Sequence, residues 1–287
     1  MAVLIWSFSP ACKLKRRGAW LGAIFNLASL NPRLKNSPHT PIIKAAGMSL
    51  INECSTKGRY RMPTRIYLVR HGATQLTEED RFAGSSDVNL SAEGHRQVAS
   101  LAERLKNEKL DAIYASPLAR TLETACILAS LHGLEPIPEP CLREIDYGRW
   151  EGLSRTEVKR DFQAEYAIWQ EDPFTIAPQG GESGLNVLNR VLPVVRRIVE
   201  THRHQSVLVV SHKGTNRLLI SSLLGFDVRA YRDRLDQSPA ALNILDFMSE
   251  VRPRLRLFND ISHYEGIPAR VLSRRLSEWW DPPAQNE

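Results

Sequence analysis

The sequence has 287 residues, 43% of them hydrophobic and 24% charged, which is enough for a sizeable core and for one or two globular domains. No apolar run approaches the roughly 18 residues of a membrane span, and the four cysteines show no CxxC spacing, which argues against a structural zinc site or a disulfide framework. The net charge of +6 comes from residues 1–61, which carry +9, so it is no evidence that the rest of the chain binds nucleic acid.

Residues 1–61 form a basic extension that prolines interrupt and that lacks a sustained periodicity. Three interpretations stay open: a transit peptide for organellar import, because acids are rare; a disordered basic arm; or a segment that the native protein lacks. We favour the last, because Met62 stands directly before the first predicted strand. The rest of the chain is expected to form one main domain over 62–263 and a C-terminal tail over 264–287.

The main domain is predicted to alternate between strands and helices, which predicts an α/β class with a mostly parallel central sheet. Ser91 and the S-R-T-E run that starts at Ser154 are typical helix N-termini, and Cys126 falls in an apolar helical pattern that predicts a packed thiol. The predicted order is strand 65–70, helix 91–105, strand 111–116, helix 117–132, helix 154–170, helix 184–203, strand 206–211, helix 215–224, and strands 242–247 and 255–258.

Cationic side chains follow the predicted strands, and in an open α/β sheet the ligand crevice lies beyond the carboxyl ends of the strands. Arg70 and His71 follow the first strand, and His212 follows the apolar strand 206–211. Arg120 stands in the helix after the second strand, and Glu144 lies in a loop-like stretch. Arginine forks match phosphate oxygens, a histidine can be a nucleophile, and a protonated carboxyl can protonate a leaving alkoxide. The set suits phosphoryl transfer.

Seven stretches then point to a family. They are LVRHGAT (68–74), RFAG and LSAEG (81–94), SPLARTLETA (116–125), LREIDYGRWEG (142–152), GGES (180–183), SHKGTNR (211–217) and FNDISH (258–263). In these stretches, in their order and in their spacing, the chain resembles the histidine phosphatase superfamily, the phosphoglycerate mutase-like enzymes, and within it the broad-specificity phosphatase branch. The resemblance implies a three-layer α/β/α fold, with the catalytic domain over 62–263.

The resemblance also implies the catalytic residues. His71 is the expected nucleophile, phosphorylated during turnover, and His212 is expected to hold the phosphoryl oxygens. Glu144 is the expected proton donor, while Asp146 and Glu151 lie close in sequence and stay as alternatives. No third His, Cys or Asp stands at a recognisable ligand spacing from the two histidines, and we expect neither a metal nor another cofactor.

The substrate phosphate carries a charge of about −1.5 to −2 at neutral pH. Two guanidiniums, Arg70 and Arg120, come close to balancing that charge. The other residues expected to bind the substrate are Thr74, Thr77, Gly84 and Lys213. Candidates for the crevice rim, which would select the substrate, are Phe82, Arg143, Tyr147, Trp150, Trp169, Lys213 and Asn216.

Three departures from the family pattern bear on function. Leu76 and Thr77 stand where an aromatic residue and an asparagine are usual, so Thr77 replaces part of a phosphate contact. Lys213 stands where a small residue is usual; it points either into the crevice, towards a second anionic group, or into solvent. The chain also runs from Glu144 to the Ser154 capping box without room for the basic segment that grips the second phosphate in mutases.

The short segment favours water as the phosphoryl acceptor. We therefore expect a metal-independent phosphomonoesterase of small phosphorylated metabolites that works through a phosphohistidine. A bisphosphoglycerate-dependent phosphoglycerate mutase is the alternative, and a catalytically silent binding protein on the same fold is a weaker one. We expect no nucleic-acid partner, no membrane partner and a cytoplasmic location, and a homodimer stays open.

Overall fold

A computed structural model describes residues 62–264, which form a six-stranded sheet with helices on both faces. The strands are β1 (Thr64–Arg70), β2 (Ala112–Ala115), β3 (Pro136–Pro138), β4 (Ser206–Ser211), β5 (Leu242–Phe247) and β6 (Pro253–Asp260). Their order in the sheet is β3-β2-β4-β1-β5-β6. The pairings from β3 to β1 are parallel, whereas β5 runs antiparallel to both of its neighbours. The predicted mostly parallel sheet is confirmed.

The helices lie between the strands in the chain. They are α1 (Gln75–Glu78), α2 (Ala92–Leu105), α3 (Ala119–Ala129), α4 (Arg155–Asp161), α5 (Gln163–Glu171), α6 (Gly184–Thr201), α7 (Lys213–Leu224) and α8 (Tyr231–Arg234), with 3-10 turns at Pro140–Leu142, Gly148–Trp150 and Val228–Ala230.

Alternating side chains of the central strand build the two halves of the core. Tyr67 and Val69 of β1 pack with α2 and α3 on one face of the sheet. Ile66 and Leu68 pack with α6 and α7 on the other face. Because both faces of the strand are covered, β1 and β4 read as continuous apolar runs. The three-layer α/β/α architecture is therefore confirmed.

Local signals set several helix ends as predicted. Ser91 Oγ accepts a hydrogen bond from the Gly94 amide at 3.1 Å and caps α2. Ser154 and Glu157 form the predicted capping box of α4. Gly225 ends α7 with a φ of 74°, a left-handed conformation that favours glycine.

Three sequence-based predictions need correction, and three short elements were not predicted. The predicted helix 154–170 is broken at Phe162, which leaves helical geometry (φ −133°, ψ 38°) and packs its ring into an aromatic cluster. The helix predicted from 215 begins at Lys213, because His212 in extended conformation is its N-cap. Cys126 is exposed and not packed. Strand β3 and the short helices α1 and α8 lack enough periodic residues to be predicted.

The predicted extension 1–61 lies outside the described residues, and so does the predicted tail except for Tyr264. Within 62–264, no helix is both long and apolar enough to cross a membrane. The expected homodimer and the cytoplasmic location stay predictions.

Candidate active site

The strand ends of the parallel half of the sheet open into a cavity of about 390 Å³, within the size range of small-molecule sites. Arg70 is the last residue of β1 and His71 follows it, while Arg120 lies in the first turn of α3. The sequence-predicted site residues that line this cavity are Arg70, His71, Thr74, Thr77, Arg120, Glu144 and Lys213.

His71 presents a free ring nitrogen. Its Nδ1 lies 2.7 Å from the Gly72 carbonyl oxygen, which can only accept a hydrogen bond, so the ring proton is on Nδ1. Nε2 then keeps its lone pair, and no hydrogen bond engages it among the described residues. Burial, together with the positive charges of Arg120 and Arg70, holds the pKa of His71 well below its usual range. The ring is thus neutral, as a nucleophile must be.

His212 lies one layer behind the cavity wall and does not line it. It is fully buried, and its ring packs edge-on to His71 with the centroids 5.2 Å apart. Arg120 Nε donates to His212 Nδ1 at 3.3 Å, so His212 carries its proton on Nε2, which donates to Ser116 Oγ at 2.8 Å. Because burial and Arg120 lower its pKa, His212 is neutral. It contacts two groups of the site, His71 and Arg120, instead of the open cavity.

Arg120 and Glu151 together hold the loop 83–86. Arg120 Nη1 donates to the Ser86 carbonyl at 2.7 Å and Nη2 to the Gly84 carbonyl at 2.8 Å. The Glu151 carboxylate accepts from the amides of Gly84, Ser85 and Ser86 at 3.0–3.1 Å. Glu151 does not line the cavity, so the alternative that it donates a proton to the substrate has no geometric support.

A polar network that includes Asn243 of β5 holds the side chain of Arg70 in place. Its Nη1 donates to the Gln237 carbonyl at 2.6 Å, and its Nε is buried without a hydrogen-bond partner. The Gln237 side chain bonds to Asn243, whose amide also donates to the Leu68 carbonyl at 3.0 Å. Burial lowers the pKa of Arg70 to about 10, which leaves it cationic at neutral pH. Arg70 forms no salt bridge with a described carboxylate, so an anion in the cavity would stabilise its buried charge.

Glu144 lies at the N-terminus of α7. Its Oε1 accepts from the Ile145 and Thr215 amides, both at 3.0 Å, and from Thr215 Oγ1 at 3.1 Å. Its Oε2 accepts only from the Gly214 amide, at 2.9 Å. The carboxyl group is therefore held in one orientation, and Oε2 has a lone pair left for a proton. Asp146, the other alternative donor, does not line the cavity and accepts from the Gly148 amide.

Of the predicted substrate-binding residues Thr74, Thr77 and Gly84, the two threonines line the cavity. Thr74 Oγ1 accepts from the Thr77 amide at 3.2 Å and lies 2.9 Å from Thr77 Oγ1, so the two hydroxyls form one polar edge. Gly84 does not line the cavity, because its amide is bound by Glu151. A Cβ at Gly84 would lie 1.8 Å from the Ile145 carbonyl oxygen, so Gly84 permits close packing of the loop behind the wall.

The predicted rim residues separate into two groups. Phe82, Tyr147 and Lys213 line the cavity. The remaining four do not: Trp150, Trp169 and Asn216 are buried, and Arg143 is exposed away from the cavity. Trp150 and Trp169 pack with Phe82 into an aromatic cluster that supports one wall.

Gln97, Arg217 and Gln237 are among the lining residues that the sequence reasoning missed. Gln97 is 1% exposed and accepts from the Ala73 amide at 3.0 Å, so it braces the turn after His71. Arg217 is buried in the wall, and Gln237 holds Arg70. Arg217 stands four residues after Lys213 in α7, and this spacing is the signal that would have found it had the helix been predicted to begin at Lys213.

Phosphoryl transfer is the chemistry that these groups serve together: a neutral imidazole can attack phosphorus, two arginines can neutralise its oxygens, and a carboxyl group can protonate the leaving oxygen. The fold and the site thus define an enzyme of the phosphoryl-transfer class. Within 62–264 no group of three or more His, Cys, Asp or Glu side chains is arranged to hold a metal ion.

Comparisons with known proteins lead to the same class. A sequence model described as histidine phosphatase superfamily (branch 1) matches residues 66–261. Phosphoserine phosphatase 1 of Hydrogenobacter thermophilus is 38% identical over 167 residues, which are 58% of this chain and 79% of that protein. A probable phosphoglycerate mutase of Proteus mirabilis is 32% identical over 189 residues, 64% of this chain and 86% of that protein.

A solved structure shares the fold. The mycobacterial glucosyl-3-phosphoglycerate phosphatase in complex with VO3 is 30% identical, with a TM-score of 0.63 over 68% of this chain and 98% of that chain. Three further mycobacterial relatives are longer, and the chain spans 55% of their length. The chain belongs to the histidine phosphatase superfamily.

Proposed function

We propose that the protein is a metal-independent phosphomonoesterase that hydrolyses small phosphorylated metabolites through a phosphohistidine at His71. One observation carries the proposal: the unprotonated Nε2 of His71 lies in a cavity that Arg70 and Arg120 make cationic. A phosphate monoester brings a charge of about −1.5 to −2, which two guanidiniums balance. The charges of Arg70 and Arg120 are thus neutralised when such an anion binds.

The first step moves the phosphoryl group to the enzyme. Nε2 of His71 attacks phosphorus, the N–P bond forms and the ester P–O bond breaks. Arg70 and Arg120 hold the charge of the three remaining phosphoryl oxygens. The leaving oxygen takes a proton from Oε2 of Glu144, the carboxyl oxygen with only one donor. The products of this step are the free alcohol and phosphohistidine.

The second step returns the enzyme to its starting state. A water molecule attacks phosphorus and loses a proton to the Glu144 carboxylate while the P–N bond breaks. Inorganic phosphate leaves, and Nε2 of His71 regains its lone pair. The amides of Gly214 and Thr215 stabilise the carboxylate that exists between the two steps.

The loop after Glu144 supports hydrolysis over mutase action. Between Glu144 and Ser154 the chain makes one 3-10 turn, Gly148–Trp150, whose Trp150 is fully buried. Tyr147, directly before the turn, lines the cavity, but no residue of the turn itself does. The loop therefore offers no basic segment to bind a second phosphate. Phosphoglycerate mutase activity is the second candidate, supported by the similarity to the Proteus mirabilis protein.

An assay of p-nitrophenyl phosphate hydrolysis by the full-length protein, in a buffer with EDTA, tests the proposal. We expect hydrolysis, a protein-bound phosphate that is stable to base and labile to acid, and the loss of both in His71→Asn. His95→Asn is the matched control, because His95 is an exposed histidine on α2. Hydrolysis that requires an added divalent metal, or that survives in His71→Asn, would contradict the proposal. Interconversion of 3- and 2-phosphoglycerate faster than their hydrolysis would favour the mutase.

A further inference from the structure

The cavity has two cationic ends that share Arg70. Besides burial, Arg120 and Arg70 lower the pKa of His71, whereas Arg217 and Arg70 lower the pKa of Lys213. Arg70 acts on both groups and lines the same cavity as both. We call the surroundings of His71 and Arg120 the phosphate end, and the surroundings of Lys213 and Arg217 the second cationic end.

Lys213 and Arg217 project from the same face of α7, since residues four apart on a helix are neighbours. Both line the cavity. Arg217 is 6% exposed, and its Nε is buried without a hydrogen-bond partner. Lys213 makes no hydrogen bond or ion pair with any described residue. Two basic side chains, Lys213 and Arg217, thus face the cavity with unused donors.

The acids of the cavity wall do not neutralise Lys213. Asp236 pairs with Arg217 Nη2 at 3.2 Å, and the Glu144 carboxylate accepts from the Gly214 and Thr215 amides. Asp80 and Glu93 each form their salt bridge with an arginine outside the lining. Arg232 also lines the cavity, and its guanidinium lies over the Trp169 ring. Among Lys213, Arg217 and Asp236, one carboxylate therefore stands against two basic groups, which leaves about one positive charge when Lys213 is protonated.

The substrate's phosphate does not neutralise the positive charge at the second cationic end. Arg70 and Arg120 already balance the phosphoryl group's charge of about −1.5 to −2. Burial beside Arg217 and Arg70 lowers the pKa of Lys213, because like charges that are buried together destabilise one another. An anion bound between Lys213 and Arg217 would favour the charged form of Lys213. A singly charged group fits this surplus better than a second phosphate does.

We propose that the second cationic end binds a carboxylate of the substrate, so that Lys213 and Arg217 select phosphomonoesters carrying a carboxylate a few bonds from the ester oxygen. This inference rests on the proposed function and adds the substrate class to it. Lys213 donates its ammonium protons to one carboxylate oxygen, and the free guanidinium edge of Arg217 serves the other.

A matched pair of esters tests the inference. 3-Phosphoglycerate and glycerol 3-phosphate differ only in a carboxylate that replaces a hydroxymethyl group at the far end. We expect the wild-type kcat/KM to favour 3-phosphoglycerate at least tenfold, the ratio to fall to about one in Lys213→Met, and Lys213→Arg to retain most of it. Lys109→Met is the control, because Lys109 lies on the surface and its side chain is 87% exposed.

The outcomes separate the two proposals. A wild-type enzyme that hydrolyses both esters without preference, or a Lys213→Met variant that loses activity on both equally, overturns the carboxylate site and leaves the phosphatase intact. A wild-type enzyme that hydrolyses neither ester nor p-nitrophenyl phosphate overturns the proposed function itself. A change in the ratio in Lys109→Met would show that the preference comes from general surface charge, and this also overturns the carboxylate site.

Discussion

The two ends of the cavity are built in different ways. At the phosphate end, His71 and Arg120 stand directly after a strand or in the first turn of a helix, and each is held by backbone carbonyls. At the second cationic end, Lys213 and Arg217 project from one helix face, and Arg217 pairs with Asp236 from the loop after α8. The first end is anchored to main-chain atoms, and the second consists of side chains.

This difference separates chemistry from selection. Hydrogen bonds to the main chain fix the positions of the groups of the proposed reaction, and a displacement at phosphorus needs those positions to be accurate. Side chains on one helix face can be exchanged without moving the sheet, so they can change the substrate while the reaction is retained. We therefore expect substitutions at the phosphate end to affect all esters and those at the second cationic end to affect the ratio between esters.

The largest effect is expected from Arg120→Met. Loss of the guanidinium removes half of the positive charge on the phosphoryl oxygens and releases the loop 83–86. Arginines in phosphoryl transfer contribute about 10³- to 10⁵-fold to the rate. Steady-state assays with 3-phosphoglycerate and glycerol 3-phosphate should show a loss of kcat/KM of about 10⁴-fold for both. A loss confined to one ester would remove the distinction between the two ends.

The next effect distinguishes the two glutamates of one loop. Glu144→Gln should lower kcat for glycerol 3-phosphate by about 10²- to 10⁴-fold, because an alkoxide needs a proton to leave. With p-nitrophenyl phosphate, whose phenolate leaves unaided, the loss in the first step should be far smaller. Single-turnover kinetics on both esters measure this. Equal losses on the two leaving groups would exclude Glu144 as the proton donor.

Glu151→Gln should act on stability. The oxygen of the glutamine side chain can still accept from some of the three loop amides. Its NH₂ group, however, is a donor and cannot accept from the remaining N–H groups. We expect the free energy of unfolding to fall by about 1–3 kcal/mol, as measured by urea denaturation. Because the leaving group is not involved, kcat should change by the same factor for both esters. A selective loss on alkoxide esters would instead give Glu151 a part in proton transfer.

The smallest effect concerns pH. His71 and His212 have pKa values below that of an unfolded histidine, so the unfolded chain binds more protons than the folded one once the pH falls below about 6.5. Stability is therefore present above that pH and is lost as the pH falls, by about 1 kcal/mol for each histidine between pH 7 and 5.5.

Urea denaturation at the two pH values measures this loss. His71→Asn should reduce it by about one histidine's share, or about 1 kcal/mol. His95→Asn should change it in the opposite direction, since the Ser91 carbonyl and Glu123 raise the pKa of His95 and its contribution is largest below pH 6.5. If His71→Asn leaves the pH dependence unchanged, His71 is not held neutral by its surroundings.

Much of the fold follows from local patterns in the sequence. β-Branched apolar runs predict β1, β4 and β5, and helical spacing with an N-cap predicts α2. Strand β3 contains three residues, two of them prolines, and α1 contains four, so neither is long enough to show a period. The break at Phe162 depends on the aromatic cluster that its ring joins, and this cluster is assembled from distant parts of the chain.

The sequence by itself identified the groups of the proposed reaction. Arg70, His71 and Arg120 stand at strand and helix ends, and parallel strands bring their carboxyl ends to one edge of the sheet. The tertiary structure alone decided which groups face the cavity. It placed His212 and Gly84 behind the wall, assigned Glu151 to the loop 83–86, and directed Lys213 inward. Spacing along the chain fixes the face of an element but not what packs against that face, because packing depends on residues far away in sequence.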